Sequence, residues 1–311
     1  MIMKRTINPI EEAGERKRTM KKLIAIALAC ATALALGGLF ACSGNGSNGA
    51  AGGKVEAKAS VEDYTWDELS KISKEVGAAG GEDAAIDIAK EYNLCMPDGK
   101  LDGTQVKTVT LADGTTAQVQ ICGFAHDGKA DGSGKAGITF VFKDAVDEHS
   151  MNNSDTNSGG WEASEMRSWL NSSFKGQLPS DLQNVIVPVN KMTNNTGETT
   201  SASSVTATSD ELWLFSVCEL CGPIDWYNEQ SLCSVLNAEG EQYKLFRDMN
   251  VDNRNGNAIL AKTSRGGSCA WWERSPRPRY SVGFVSVGPD GSPGNGDNAD
   301  ASLAVVPGFC I

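Results

Sequence analysis

The residues best suited to ligand recognition lie near the C-terminus of this 311-residue chain, where Trp271, Trp272 and Arg274 are close neighbours. Adjacent residues of a strand point to opposite faces of a sheet, so one indole should enter the core while the other is displayed. A displayed aromatic ring beside charged and amide groups is typical of sugar or peptide recognition. Packing of both rings in the core is the alternative, because tryptophan is highly buried on average.

A loop that follows these tryptophans offers further polar groups. The segment 289–300, PDGSPGNGDNAD, carries Asp290, Asn295 and Asp297 among three glycines and two prolines. Such an oxygen-rich loop could hold calcium or a hydroxyl-rich ligand, and a solvated hairpin loop is the alternative. We therefore name Trp271, Trp272, Arg274, Asp290, Asn295 and Asp297 as candidate ligand-binding residues.

The pair Cys218 and Cys221 forms a CxxC motif, which could be a redox pair or half of a zinc site. The residues that follow it, Gly222 and Pro223, break a helix rather than begin one, and no second pair has matching spacing. Disulfide formation or plain burial therefore explains these thiols better. Seven cysteines follow residue 42, an odd number, so at least one thiol stays free or pairs between chains.

Other catalytic and metal-binding patterns are incomplete. The chain has only two histidines, His126 and His149, and no GxSxG, HExxH or strand-linked GxGxxG motif. Three segments begin like calcium loops, but position 12, where a bidentate Glu belongs, is Val109, Ile138 or Ile259. We predict no catalytic residue, no metal and no cofactor, and enzyme activity stays an open alternative.

The N-terminal region predicts export. Lys21 and Lys22 precede the apolar run 23–40, and Ala41 stands directly before Cys42. This order resembles the signal and lipobox of bacterial lipoproteins, which implies a signal peptide over residues 1–41 and lipidation of Cys42. An uncleaved membrane helix is the alternative. The Gly/Ser/Asn-rich residues after Cys42 predict a flexible tether over 42–60.

Charge restricts the partners of the exported chain. Residues 1–41 carry seven basic and three acidic residues, so their removal changes the net charge from −11 to −15. Such an acidic body should repel nucleic acid. We expect a membrane partner through the acyl anchor and a location on the extracellular face of the cell membrane.

The order of elements predicts an α+β body after a short helical segment. In the lead-in, 61–104, Thr65 and Glu68 form a capping box for a helix to about Val76, and Asp83 should cap a second helix. In the domain 105–311, Asp113-Gly114 predicts a hairpin, and Ser164 should cap a helix that ends at residue 174. Further helices are expected at 180–184 and 243–249, and strands at 106–112, 116–124, 137–142, 185–189, 212–217, 269–272, 282–287 and 303–306. Alternating βα units are absent, which argues against a doubly wound sheet and a two-lobed solute-binding protein.

From residue 137 onward the chain resembles an uncharacterised bacterial family, the domain of unknown function numbered 6273. The resemblance rests on six segments in order: GITFVF, MNNSDTNSGGWEASEMRSWLN, LPSDLQNVIVPVNKMTNNTG, SVTATSDELWLFSVCEL, WWERSPRP and VVPGFCI. Glu273 and Cys310 depart from the usual family pattern. More distantly, the arrangement is similar to C-type-lectin-like folds, including the formylglycine-generating enzymes, although Cys269 and Cys310 lie too far apart for that activity. The resemblance implies a small twisted antiparallel sheet, one or two flanking helices and long loops.

These observations favour a lipid-anchored, non-catalytic binding or adhesion module for glycan or protein ligands. A secreted enzyme acting on cell-envelope or extracellular substrates, and a structural envelope component, are the alternatives.

Overall fold

The computed structural model describes residues 54–311, so the predicted signal peptide and Cys42 lie outside the described part. Seven α-helices occur in the described residues: α1 (Trp66–Gly77), α2 (Glu82–Glu91), α3 (Glu165–Trp169), α4 (Ser180–Gln183), α5 (Val217–Cys221), α6 (Gln230–Asn237) and α7 (Lys244–Asp248). Within residues 54–311 no helix combines the length and the apolar character needed to cross a bilayer.

The strands of the described residues are β1 (Val106–Thr110), β2 (Thr116–Phe124), β3 (Ile138–Phe142), β4 (Asp147–His149), β5 (Val189–Asn194), β6 (Val205–Asp210), β7 (Leu212–Leu214), β8 (Lys262–Ser264), β9 (Gly267–Cys269), β10 (Trp271–Pro276), β11 (Gly283–Val287), β12 (Asn295–Asn298), β13 (Leu303–Val305) and β14 (Pro307–Cys310). Together with the helices they make a mixed α+β body.

Two five-stranded sheets organise this body. Sheet I has the order β1-β2-β3-β14-β7 and is antiparallel throughout. Sheet II has the order β12-β11-β10-β13-β4, in which only β10 and β13 run parallel. Two hairpins, β5-β6 and β8-β9, complete the described strands. Because β13 and β14 are almost continuous along the chain, the C-terminal segment contributes a strand to each sheet.

Helix α1 begins where its capping box predicts. The Thr65 side chain accepts a hydrogen bond from the Glu68 amide, and the Glu68 carboxylate accepts one from the Thr65 amide at 2.8 Å. The predicted cap of α2 is wrong, because that helix begins at Glu82 with Gly81 as its N-cap. Asp83 instead lies in the first turn, where a carboxylate is favourable beside the helix dipole.

The lead-in helices share the core of the sheets. The Trp66 ring packs edge-on against Phe140 of β3, with 5.5 Å between centroids, and Phe140 stacks on Phe309 of β14 at 5.4 Å. The Ser73 hydroxyl accepts hydrogen bonds from the Gly137 and Ile138 amides, both at 3.1 Å. Residues 54–311 therefore form one compact unit.

The sequence locates several other elements correctly. The hairpin of β1 and β2 pairs Val106 with Gln120, and β3 is a central strand whose five residues are all buried. Ser164 caps α3 by accepting a hydrogen bond from the Arg167 amide. Helix α3 is shorter than expected, because the chain continues from Leu170 to Phe174 as a π-helical turn.

Three expectations about strands fail. The strand predicted at 185–189 begins only at Val189 and continues as β5, and its partner β6 lies in a polar stretch. Strand β14 was not expected, because it contains Pro307 and Gly308, two residue types that are uncommon inside strands. The segment 289–300 contains β12 rather than loop alone. Strand β14 is fixed by pairing with β3 and β7, which lie far away in the sequence, whereas β5 and β12 each pair with a neighbouring strand, β6 and β11.

Gly137 gives a direct test of the contact between α1 and Sheet I. A Cβ atom at Gly137 would lie 1.8 Å from the Ser73 carbonyl oxygen, so Gly137→Ala must displace α1 from β3. We expect the free energy of unfolding to fall by at least about 2 kcal/mol in chemical denaturation. Gly176→Ala is the control, because nothing lies within 4 Å of its added Cβ. Equal stability of the two variants would contradict the contact.

Candidate functional site

Strand β10 carries the two predicted ligand-binding tryptophans into the core. Trp271 is 1% exposed and Trp272 is 0% exposed. Their indole nitrogens donate hydrogen bonds to the Leu260 and His149 carbonyl oxygens, each at 2.9 Å. The expectation that one ring is displayed is therefore wrong, and the alternative of two packed rings is correct. Adjacent residues do face opposite sides of β10, but both sides are covered.

Arg274 is also unavailable to a ligand. Its side chain is fully buried, and its guanidinium donates hydrogen bonds to the carbonyl oxygens of Leu214 (2.8 Å), Met192 (3.0 Å) and Glu239 (2.9 Å). It also forms an ion pair with Glu219. Arg274 therefore connects β10 to β7, β5 and the end of α6 instead of facing solvent.

Arg274 belongs to a buried ionic network centred on Lys191 of β5. The Lys191 ammonium lies 2.7 Å from Asp127 Oδ1 and 2.6 Å from Glu219 Oε1, and it donates a hydrogen bond to the Tyr243 hydroxyl at 2.8 Å. Burial alone would raise the pKa of Asp127, but Lys191 lowers it below its ordinary value. No local signal in the sequence marked this role of Asp127.

Two buried carboxyl groups beside this network have oxygen atoms without a hydrogen-bond partner among the described residues. Glu273 is fully buried, and neither carboxylate oxygen makes a well-formed hydrogen bond with the described residues. Burial, with a smaller contribution from Glu239, raises its pKa well above the ordinary range. Burial likewise raises the pKa of Glu239 to about 7, although the Asn194 amide donates a hydrogen bond to Oε1 at 2.8 Å. Burial therefore favours the neutral form of Glu273.

The CxxC motif forms part of α5 and is buried. Cys218 is 2% exposed and Cys221 is 6% exposed, and neither is in a disulfide. Burial raises the pKa of Cys218 to about 12 and also raises that of Cys221, which suppresses thiolate formation. Among residues 54–311, no group of three or more His, Cys, Asp or Glu side chains is placed to hold a metal ion.

An exposed aromatic residue lies close to the predicted C-terminal loop. Tyr280, in the connection between β10 and β11, is 53% exposed, and its ring stacks with the Arg277 guanidinium at 4.4 Å. The Arg277 side chain crosses β12, since a Cβ at Gly296 would lie 2.5 Å from Arg277 Nε. Within the described residues the Arg277 guanidinium makes no ion pair, so its donors remain free for a ligand.

A second partly exposed ring borders the same surface. Trp226 packs against Gly294, and its indole nitrogen donates a hydrogen bond to the Asn253 carbonyl oxygen. Its ring centroid is 6.4 Å from that of Tyr227. We call the surface formed by Trp226, Tyr227, Arg277 and Tyr280 the loop face. Sequence reasoning missed its aromatic members, because only tertiary contacts bring them beside β12.

The three predicted polar residues lie in the segment that follows β11, and Asn295 and Asp297 point to the side of β12 opposite to Arg277. Asp290 is exposed, and its Oδ1 accepts hydrogen bonds from the Ser292 amide at 3.0 Å and hydroxyl at 2.6 Å, which lower its pKa. The Asn295 amide donates to the Ser292 carbonyl at 3.1 Å, and Asp297 accepts a hydrogen bond from Ser286 at 2.6 Å. These bonds fix the loop while leaving part of each polar group accessible.

The buried network and the loop face together define an α+β body with an ordered polar surface at one group of loops. Residues 136–311 match the family model described as Domain of unknown function (DUF6273), and the chain belongs to that family. No curated protein and no solved structure matches the chain.

Glu273→Leu tests the uncompensated buried acid. In the unfolded chain Glu273 ionises near its ordinary pKa of 4.5, whereas its pKa in the folded protein is higher. The stability of the parent protein therefore falls as the pH rises above 4.5 toward the folded pKa. We expect the free energy of unfolding of the variant to exceed that of the parent by about 2 kcal/mol at pH 7. This difference should shrink toward pH 4.5.

Denaturation at several pH values measures this difference, with Glu162→Leu at an exposed position as the control. A Glu273→Leu variant less stable than the parent at pH 7 would show that Glu273 contributes a favourable interaction.

Proposed function

We propose that this protein is a lipid-anchored, cell-surface binding module that recognises glycans through the loop face. The observation that carries the proposal is the Arg277–Tyr280 stack, in which an exposed ring lies 4.4 Å from a guanidinium that has no carboxylate partner among the described residues. A sugar ring packs its C–H surface on an aromatic face, while its hydroxyls need charged or amide partners.

The polar groups of the loop face supply both kinds of partner. Arg277 offers several donors, and the Tyr280 hydroxyl offers a donor and an acceptor. The Arg277–Tyr280 stack already orients both side chains, so binding loses less side-chain entropy.

The proposal extends to the fold and the location. A C-type-lectin-like arrangement, in which sheets and short helices support long ligand-binding loops, agrees with the loop face lying between β10, β11 and β12. Diacylation at Cys42 would hold this body on the extracellular face of the membrane, and two acyl chains suffice for stable anchoring.

Tyr280→Ala tests the loop face. A glycan array probed with the parent protein identifies the best ligand, and titration with that glycan gives the dissociation constants. We expect roughly tenfold weaker binding, because an aromatic contact of this kind contributes about 1.4 kcal/mol. Tyr280→Phe should retain most of the affinity, since it keeps the ring.

Met249→Ala is the matched control, because Met249 is another exposed apolar residue, at 40% exposure. Unchanged glycan affinity in Tyr280→Ala would remove the loop face as the binding site. Binding to host proteins in a pull-down, with an empty glycan array, would replace the glycan by a protein ligand.

Cys42→Ser tests the anchor. In a bacterium with lipoprotein processing, we expect the parent to incorporate labelled palmitate and to remain with the membrane fraction, while the variant incorporates none. Cys30→Ser is the control, because a thiol within the apolar run should not be acylated. Equal palmitate labelling of Cys42→Ser and the parent would exclude this anchor.

A further inference from the structure

A cavity whose lining shares no residue with the loop face contains two polar side chains, Gln120 and Lys262, without partners among the described residues. It has a volume of about 270 Å³ and is bounded by the Asp102–Gly103 turn, the end of β3 and the residues that lead into β8. Its polar lining consists of Asp102, Gln120, Lys143, Asp144 and Lys262. The volume suits a molecule smaller than most drug-sized ligands.

Gln120 of β2 is the first unusual group in this cavity. Its side chain is 0% exposed, and neither the amide oxygen nor the amide nitrogen has a hydrogen-bond partner among the described residues. An unpaired buried polar group costs roughly 1–3 kcal/mol, so natural structures rarely keep one without a reason. The amide oxygen would lie 3.4 Å from a Cβ atom at Gly103, which places it at the wall of the cavity.

Lys262 of β8 is the second unusual group in this cavity. It is 2% exposed, yet within residues 54–311 its ammonium makes neither an ion pair nor a hydrogen bond, and Asp144 acts on it only through space. Lys191, the other deeply buried lysine, contacts two carboxylates. Lys262 is therefore a buried cation that has neither an anion nor a hydrogen-bond acceptor among the described residues, and it lines the cavity.

Two carboxylates at the rim each keep one oxygen unengaged. Asp102 Oδ1 accepts hydrogen bonds from the Thr104 amide at 3.0 Å and hydroxyl at 2.6 Å. Asp144 Oδ1 accepts them from the Thr263 amide at 2.9 Å and hydroxyl at 2.8 Å. No hydrogen bond from the described residues engages Oδ2 of either side chain. Besides Gln120 and Lys262, the lining therefore carries two carboxylates with an available oxygen and one further lysine, Lys143.

We propose that this cavity binds a small zwitterion of the α-amino acid type, with its carboxylate against Lys262 and the Gln120 amide and its ammonium against Asp144 and Asp102. A zwitterion supplies the anion that Lys262 lacks, the partners that the Gln120 amide lacks, and a cation for the rim. A carboxylate alone would leave the rim unpaired, and an amine alone would leave Lys262 unpaired.

The pKa of Lys262 adds a second measurable consequence. Burial, with a smaller contribution from the Lys143 charge, lowers this pKa to about 8. Asp144, Cys122 and Cys269 act in the opposite direction. A bound carboxylate favours the charged form, so binding at pH 8.5 should take up protons. Calorimetry in buffers with different ionisation enthalpies detects this uptake.

The experiment uses the full-length chain in detergent, with the twenty common amino acids as probes and acetate and methylamine as half-ligands. We expect at least one amino acid to raise the melting temperature and to bind with proton uptake at pH 8.5, while acetate and methylamine bind at least tenfold more weakly. Gln120→Met should match or exceed the parent's melting temperature without ligand, because it removes an unpaired amide, and should lose the ligand-induced shift.

Lys262→Met provides the second variant and should also lose the shift and the proton uptake, even if Gln120→Met does not fold. Lys100→Met, at an exposed lysine, is the control and should bind as the parent does. Tyr280→Ala should bind amino acids normally, which separates this proposal from glycan recognition. Absence of a shift with every amino acid at millimolar concentration, binding retained in Lys262→Met, or equal binding of acetate would overturn the proposal.

Discussion

The fold depends on a buried ammonium group, that of Lys191, placed between the carboxylates of Asp127 and Glu219. Asp127 follows β2, Lys191 belongs to β5 and Glu219 to α5, and Arg274 adds β10 through its pair with Glu219. In a low-dielectric interior, each of these charges needs its partners, because an isolated buried charge is strongly unfavourable. The β5-β6 hairpin, helix α5 and strand β10 of Sheet II must therefore keep one relative arrangement for the network to persist.

This constraint explains why the conspicuous polar and aromatic residues of β10 do not reach a ligand. The Arg274 guanidinium binds three carbonyl oxygens and the Glu219 carboxylate. The indoles of Trp271 and Trp272 donate hydrogen bonds to carbonyl oxygens inside the body. The two proposed sites instead use residues whose polar groups have no partner among the described residues. Arg277 at the loop face and Gln120 in the cavity share that property, although one is partly exposed and the other is buried.

Elements governed by neighbours in the sequence could be predicted without the structure. The Thr65 capping box, the hairpin around Asp113 and the cap at Ser164 each depend on contacts within a few residues. Strand β5 could not be predicted in the same way. Its inward-facing residues include Lys191 and Thr193, so the face that is buried reads as polar. Burial there is set by charge partners more than a dozen residues away.

The sequence by itself determined the family and the mixed α+β composition, because these follow from segment order and local pattern. Only the tertiary structure decided which polar and aromatic groups are available. Tyr280 is displayed while Trp271 and Trp272 are covered, and the Gln120 amide is left unpaired. Accessibility and pairing depend on which distant strands and helices cover a residue, and that information is absent from the residue's own neighbourhood in the chain.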